Sequence, residues 1–385
     1  MTAGVTVPIG FRAAGVAAGL KSSGNRDVAV VVNDGPSSAA AAVFTGNRCK
    51  ANPVLWSQEA IKAGSAKAVV INSGGANCYT GAAGFALTHE TAELAATTLG
   101  AGAIDIQVCS TGLIGLLNDR DTLLGGVSAA FDALSSTGGV AAAEAIMTTD
   151  SVPKQASVGG GGWSVGGMAK GAGMLAPALA TMLVVITTDA VADAATLDAA
   201  LRAATAKTFD RLDSDGCQST NDTVLLMASG ASDVMPTADD LTDRVTAVCH
   251  ELAMQLLADA EGADHEISIT VVNAASEDDA LAVGRSIARS NLFKCAIFGR
   301  DPNWGRILAS VGTTDAMFDP ADLDVSLNGV MVCRNSGPGE AADKVSLAER
   351  QVDVLVDLKS GPATATIWTN DLTHAYVHEN SAYST

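Results

Sequence analysis

Aromatic and basic residues are scarce in this chain. Of its 385 residues only 4% are Phe, Trp or Tyr, and 23 Lys and Arg face 42 Asp and Glu. A net charge of −19 repels phosphate backbones and anionic lipid, which excludes nucleic-acid binding and membrane-surface docking as first expectations. The seven cysteines are scattered, odd in number and form no C-x-x-C. They predict reduced, mostly buried thiols and a cytoplasmic setting. The five histidines form no H-E-x-x-H and none pairs with cysteine at ligand spacing, so no metal is expected. There is no G-x-x-x-x-G-K-[ST] phosphate loop, which removes the main nucleotide hydrolases. Long hydrophobic runs are missing as well. The longest, Met174 to Ile186, is too short to cross a bilayer and contains Pro177. Arg12 interrupts the first apolar segment and no basic residue precedes it, so no signal peptide is expected.

What remains is 48% hydrophobic, enough for a large buried core without disulfides or metals. The length fits two or three domain-sized units or one large layered body. Short apolar runs at 27–32, 66–71, 104–109, 181–187, 223–228, 267–272, 352–356 and 363–368 predict strands. They alternate with helical patterns at 85–99, 194–204, 238–260 and 276–290. Such alternation predicts an α/β body with helices covering sheet. Between Gly159 and Gly173 eight of fifteen residues are glycine. Trp163, Met168 and Lys170 among them predict an ordered loop, not a linker.

Three motifs invite a function and fit poorly. Gly162-Trp163-Ser164-Val165-Gly166 matches the G-x-S-x-G elbow of hydrolases, yet no helix can begin after it. Gly171-Ala172-Gly173 with Ala176 imitates a dinucleotide fingerprint without the helix that should follow. Asp213-Ser214-Asp215-Gly216 imitates a calcium loop, but Arg211 stands at the first ligand position, so a polar turn is expected.

The run from Lys170 to Leu183 is harder to dismiss. A threonine at the mouth of an apolar strand is ordinarily a strand residue, because its β-branch suits the pleat. Thr181 also follows a glycine-rich approach, one lysine and the small Ala180. Cleavage of the Ala180–Thr181 bond would give it an α-amine with a pKa of about 7.7–8.0, a base for its own hydroxyl. Both readings stand on the residues alone.

Lys170-Gly171-Ala172-Gly173-Met174 through Ala180-Thr181-Met182-Leu183 resembles the cleavage-site motif of the ornithine acetyltransferase family, the glutamate N-acetyltransferases of arginine biosynthesis. Further blocks resemble the family in order: 72–77 (NSGGAN), 109–115 (CSTGLIG), 145–150 (AIMTTD), 219–223 (STNDT), 259–262 (DAEG), 301–306 (DPNWGR) and 379–383 (ENSAY). The resemblance implies a layered α-β-β-α sandwich similar to self-cleaving aminopeptidases with an N-terminal nucleophile. It implies cleavage between Ala180 and Thr181 into an α chain (1–180) and a β chain (181–385), assembled as an α2β2 heterotetramer. Thr181 would carry acetyl from N2-acetyl-L-ornithine to L-glutamate in a ping-pong cycle, releasing ornithine and N-acetylglutamate. Thr111 and Gly112 match the oxyanion-stabilising pair. Thr149, Lys170, Thr181, Glu261, Asn380 and Thr385 match substrate-binding positions. No metal or cofactor is implied, and acetyl-CoA as a second donor is left open.

Two rival readings are a self-cleaving aminopeptidase or amidohydrolase, in which water accepts the acyl group, and an uncleaved amino-acid-binding protein. Departures from the family fall at Asp264-His265, usually Thr-Lys, which loses a basic residue. Others are Ala178, Asn118-Asp119-Arg120 and the glycine-rich link after Gly159.

Overall fold

The computed structural model describes residues 4–174 and 182–382. Two compact units are present, one from Met1–Asp210 and Cys217–Asp259, the other from Arg211–Gly216 and Ala260–Ser384.

The first unit contains β1 (Phe11–Val16), β2 (Val28–Asn33), β3 (Ala40–Phe44), β4 (Ala68–Asn72), β5 (Ile106–Ser110), β6 (Lys154–Gly160), β7 (Trp163–Lys170), β8 (Leu183–Thr188) and β9 (Thr223–Ala228). Its helices are α1 (Asn52–Ala60), α2 (Gly81–Leu99), α3 (Arg120–Asp132), α4 (Gly139–Ala145), α5 (Ala194–Lys207) and α6 (Ala238–Ala258). The strands form two sheets, ordered β1-β2-β4-β5 and β3-β9-β8-β7-β6. Strands β2, β4, β5, β8 and β9 are buried at every residue. Their unbroken apolar runs are what a sheet covered on both faces requires.

One face of each sheet meets the other sheet. Val31, Val69 and Ile71 pack in one core with Met168, Val185 and Leu225. The far face of the first sheet packs on α2 and α3 through Leu87, Ala95, Leu123 and Val127. Helices α5 and α6 cover the second sheet, α5 over β3 and α6 over β6 and β7. The layers are α-β-β-α, as the family resemblance implies. Helix starts are fixed locally: Asp119, Asp193 and Thr237 each accept the N3 amide of the following helix, a cap worth about 0.5–2 kcal/mol.

The glycine-rich stretch corrects one expectation. It is not a loop but most of the antiparallel hairpin β6–β7, turning at Gly160–Gly162, where all three φ angles are positive. Gly166 serves close packing: a Cβ there would sit 2.1 Å from the Gly4 carbonyl oxygen.

The second unit has one sheet, ordered β13-β12-β11-β14-β10-β15. Its strands are β10 (Glu266–Ala274), β11 (Asp324–Leu327), β12 (Val330–Arg334), β13 (Gly337–Pro338), β14 (Gln351–Asp357) and β15 (Ala363–Asn370). Helices α7 (Glu277–Ala288), α8 (Asn291–Phe298) and α9 (Trp304–Val311) share its core, with Ile287, Phe293 and Ile307 against Ile269, Val354 and Ile367. Helix α10 (His374–Ala382) closes the described chain. No helix among the described residues is long and apolar enough to cross a membrane.

Candidate active site

Four of the matched positions lie in the first unit. Strands β4 and β5 run parallel with Asn72 opposite Ser110, so their ends make one corner. Asn72 Nδ2 donates to Ser110 Oγ at 2.7 Å, and Asn118 Nδ2 donates to Asn72 Oδ1 at 2.9 Å. The amide of Thr111 is spent on the Asn72 carbonyl at 2.9 Å. Its hydroxyl and the Gly112 amide are the corner's remaining candidates for a developing alkoxide. Gly112 has φ +124°, and a Cβ would lie 3.0 Å from both Cα and N of Gly75. Only glycine fits there.

Lys170 is the last residue of β7 and is 1% exposed. Its Nζ reaches Thr148 Oγ1 at 3.4 Å. Burial lowers its pKa to about 8, against the opposing pull of Asp150 and Asp222. Asp150 organises the surroundings: it accepts the Gly171 amide at 2.6 Å, the Thr148 amide at 2.9 Å and Lys154 Nζ at 2.6 Å. Burial pushes its carboxyl up, but Lys154, Lys170 and the Gly171 amide together hold it below the usual range. Lys154, fully buried, also meets Asp259 at 2.5 Å. Thr149 sits half-buried on the turn between Thr148 and Asp150. A cavity of about 730 Å³ opens beside that turn, lined by Lys21, Arg26, Glu144, Met147, Thr148 and Asp150.

Ala180 and Thr181 lie outside the described residues, and so does Ala178. Met182 is described. Its amide donates to Asp222 Oδ1 at 3.0 Å and its carbonyl accepts from the Thr223 amide at 3.2 Å. Strand register places Leu183 between Lys170 on β7 and Thr223 on β9. Asn221 ties this sheet end to the corner on the other sheet, donating to the carbonyls of Ser110 and Ala76, each at 2.7 Å.

Glu261 and Asn380 belong to the second unit. Asn380 Nδ2, on α10, donates to Glu261 Oε2 at 3.0 Å and to the Tyr376 carbonyl at 3.0 Å. Helix α6 stops at Ala258, two residues short of the predicted 260, and Glu261 occupies the turn beyond it. Thr373 holds that turn with a hydroxyl bond to the Gly262 carbonyl. Thr385 lies outside the described residues.

The departures have local reasons. His265 is 5% exposed and its Nδ1 lies 2.7 Å from Asp371 Oδ2, so it replaces a lysine with a buried, partnered ring. Asp119 caps α3 by accepting the Thr122 amide at 2.9 Å, while Asn118 braces Asn72. The three ill-fitting motifs stay silent. Ser164 is the second residue of β7 and donates to Asp189 Oδ2 at 3.0 Å. Gly171 follows β7 with no helix behind it before the described chain stops. Asp213 is buried against Arg289 at 2.7 Å. Among the described residues no group of three His, Cys, Asp or Glu could hold a metal ion. Sequence reasoning missed Asp150, Lys154, Asp259, Asn221 and Asp222 as individual contributors. All but Lys154 sit in blocks that stood out, but their hydrogen bonds join positions up to 145 residues apart.

Layered sheets with helices on their outer faces, a threonine-glycine corner and a buried lysine place this unit among α/β proteins. The chain belongs to the ArgJ family, whose model matches residues 12–385. It is 61% identical over 380 residues to the arginine biosynthesis bifunctional protein ArgJ of Streptomyces coelicolor, covering 99% of both chains. Identity to the protein of that name from Mycobacterium tuberculosis is 55% over 389 residues, 99% of this chain and 96% of that one. Among solved structures it is similar to the ornithine acetyltransferase of Mycobacterium tuberculosis complexed with ornithine. That match has 54% identity, 47% of this chain, 97% of that chain and a TM-score of 0.45.

Proposed function

We propose that this chain transfers acetyl from N2-acetyl-L-ornithine to L-glutamate in arginine biosynthesis, using Thr181 as nucleophile after the Ala180–Thr181 bond is cut. The observation that carries the reading is the register at one sheet end. Lys170, Leu183 and Thr223 lie on adjacent strands there, and Asn221 fastens that end to the Thr111–Gly112 corner.

The freed α-amine takes the proton as Thr181 Oγ attacks the acetyl carbonyl. The Thr111 hydroxyl and Gly112 amide meet the alkoxide that forms. Collapse of the tetrahedral species breaks the amide bond. The leaving ornithine amine takes up a proton, and acetyl stays on Thr181 as an ester. The α-amine of glutamate then attacks that ester, the same donors act again, and collapse breaks the ester C–O bond, returning a proton to Thr181 Oγ and releasing N-acetylglutamate. Lys170 suits the α-carboxylate common to both substrates, and Glu261 suits the ornithine ammonium. Acetyl-CoA belongs to this reading as an alternative donor to the same hydroxyl. An α2β2 assembly and a cytoplasmic location belong to it as well.

The test is direct. Purified protein should run as two bands dividing near residue 180, and Thr181→Ala should run as one. Wild type given acetylornithine and glutamate should release N-acetylglutamate. Release of free acetate in place of N-acetylglutamate would identify a hydrolase instead. Parallel assays with acetyl-CoA as sole donor decide between one donor and two.

A further inference from the structure

Two residues of the run 219–223 have no part in the chemistry above, yet its backbone is held more tightly than a strand entrance needs. The Ser219 carbonyl accepts the Thr45 hydroxyl at 2.6 Å, and the Thr220 carbonyl accepts the Ala51 amide at 3.0 Å. The Asn221 carbonyl accepts the Thr223 hydroxyl at 3.2 Å, and the Asp222 carbonyl accepts the Thr45 amide at 3.0 Å. Four successive carbonyls are therefore engaged before β9 begins.

The two side chains of this fixed run point to opposite parts of the site. Asn221, 5% exposed, spends both Nδ2 hydrogens on the carbonyls of Ser110 and Ala76, and its Oδ1 accepts the Thr220 hydroxyl at 2.6 Å. It thereby fixes the residue immediately before Thr111. Asp222 is fully buried and turns Oδ1 to the Met182 amide, the N–H of the peptide bond that attaches Thr181. We propose that Asn221 and Asp222 are positioning residues that hold the nucleophile's peptide link and the oxyanion corner at a fixed separation. This rests on Thr181 being the nucleophile.

Charge alone is a poor account of Asp222. Burial drives its carboxyl well above the usual range, with the Met182 amide, Lys170 and Ser219 pulling the other way. Its Oδ2 makes no hydrogen bond among the described residues. A carboxyl kept in such a place, with one oxygen on a single backbone amide, serves geometry. Misplacing reacting groups by about 1 Å can cost about 100-fold in rate, so the clamp should register in kcat and much less in KM.

Asp222→Ala should lower kcat per cleaved chain by about 100-fold with KM for both substrates within about twofold. Asp222→Asn keeps an oxygen for the Met182 amide and should recover most of the loss. Asn221→Ala should resemble Asp222→Ala. A wild-type kcat in Asp222→Ala overturns the proposal, as does an Asp222→Asn variant no better than alanine or a change confined to KM. If the alanine variant does not fold, hydrogen exchange at the Met182 amide in wild type and Asp222→Asn decides. Strong protection in both supports the clamp, and exchange at the rate of a free amide in wild type overturns it. An inactive wild type would sink the acetyl-transfer reading while this exchange measurement still judged the contact itself.

Discussion

The sheets of the two units treat polar groups differently. In the first, β2 reads Val-Ala-Val-Val-Val-Asn and is buried throughout, because sheet lies on one face and helices on the other. In the second, β14 reads Gln-Val-Asp-Val-Leu-Val-Asp, exposed and buried in turn. Its outer face is laced by polar pairs, such as Ser268 with Asp353 at 2.6 Å and Asn273 with Asp357 at 2.9 Å. A charge buried in the first unit has no water to fall back on and must find protein partners, which is why Lys154, Asp150 and Asp259 meet there. The same enclosure lowers the pKa of Lys170. The lesson is that burial, which costs stability, is what tunes the site.

The sharpest test of that contrast is a matched pair of lysines. Lys154→Ala leaves two carboxylates buried without their cation and should cost about 3–5 kcal/mol, read by denaturant titration. Lys359→Ala on the second unit removes contacts to Asp322 at 2.6 Å and Asp324 at 3.1 Å, yet should leave the unfolding midpoint in place, since water replaces them.

Two left-handed glycines give the next comparison. Gly112→Ala forces a Cβ onto Gly75 and should cut kcat by about 10²–10³, the scale of one lost oxyanion donor. Gly329, at φ +80° with open space around it, should lose about 1–2 kcal/mol of stability as alanine and no activity.

Smaller effects come from pH. Lys170, with a pKa of about 8, is a cation below that value and loses its charge above it, so in the proposed reaction its hold on a carboxylate weakens as pH rises. KM for glutamate should therefore rise between about pH 7 and 9, and Lys170→Met should raise KM at pH 7 and flatten the dependence. In the proposed cycle the Thr181 amine has to be neutral to act as base, so kcat should move in the opposite sense to affinity over that window. Smallest of all, Leu355→Lys on the open face of β14 should stay within about 0.5 kcal/mol of wild type.

How far the sequence could be read follows the same division. Strands β2, β4, β5, β8 and β9 announce themselves as apolar runs, and β14 by alternation. Strand β1 carries Arg12 and Gly15, and β3 is mostly alanine, so neither has the expected signature. Hairpin β6–β7 is disguised by glycines that serve its turn and the approach of other backbone. Helix α7 was predicted to run on to 290, but Ser290 caps a separate helix, α8. At the site, Thr111, Gly112 and Lys170 carry recognisable neighbours. Asn221 and Asp222 act through backbone atoms 40 or more residues away in the chain, and Asp150 through a neighbouring lysine and the Gly171 amide, which no local pattern displays.

The second sheet of the first unit has a further consequence. Its order is β3-β9-β8-β7-β6, so the strands that follow residue 181 lie between strands that precede it, like two cards slid into the middle of a hand. A cut between β7 and β8 would create two chain ends and no new sheet edge. Neither product could withdraw without breaking ladders on both flanks, so a nicked protein should separate no faster than an intact one unfolds. Made separately, each half would present raw strand edges, and mixing them should recover activity poorly. Folding would therefore have to come before such a cut.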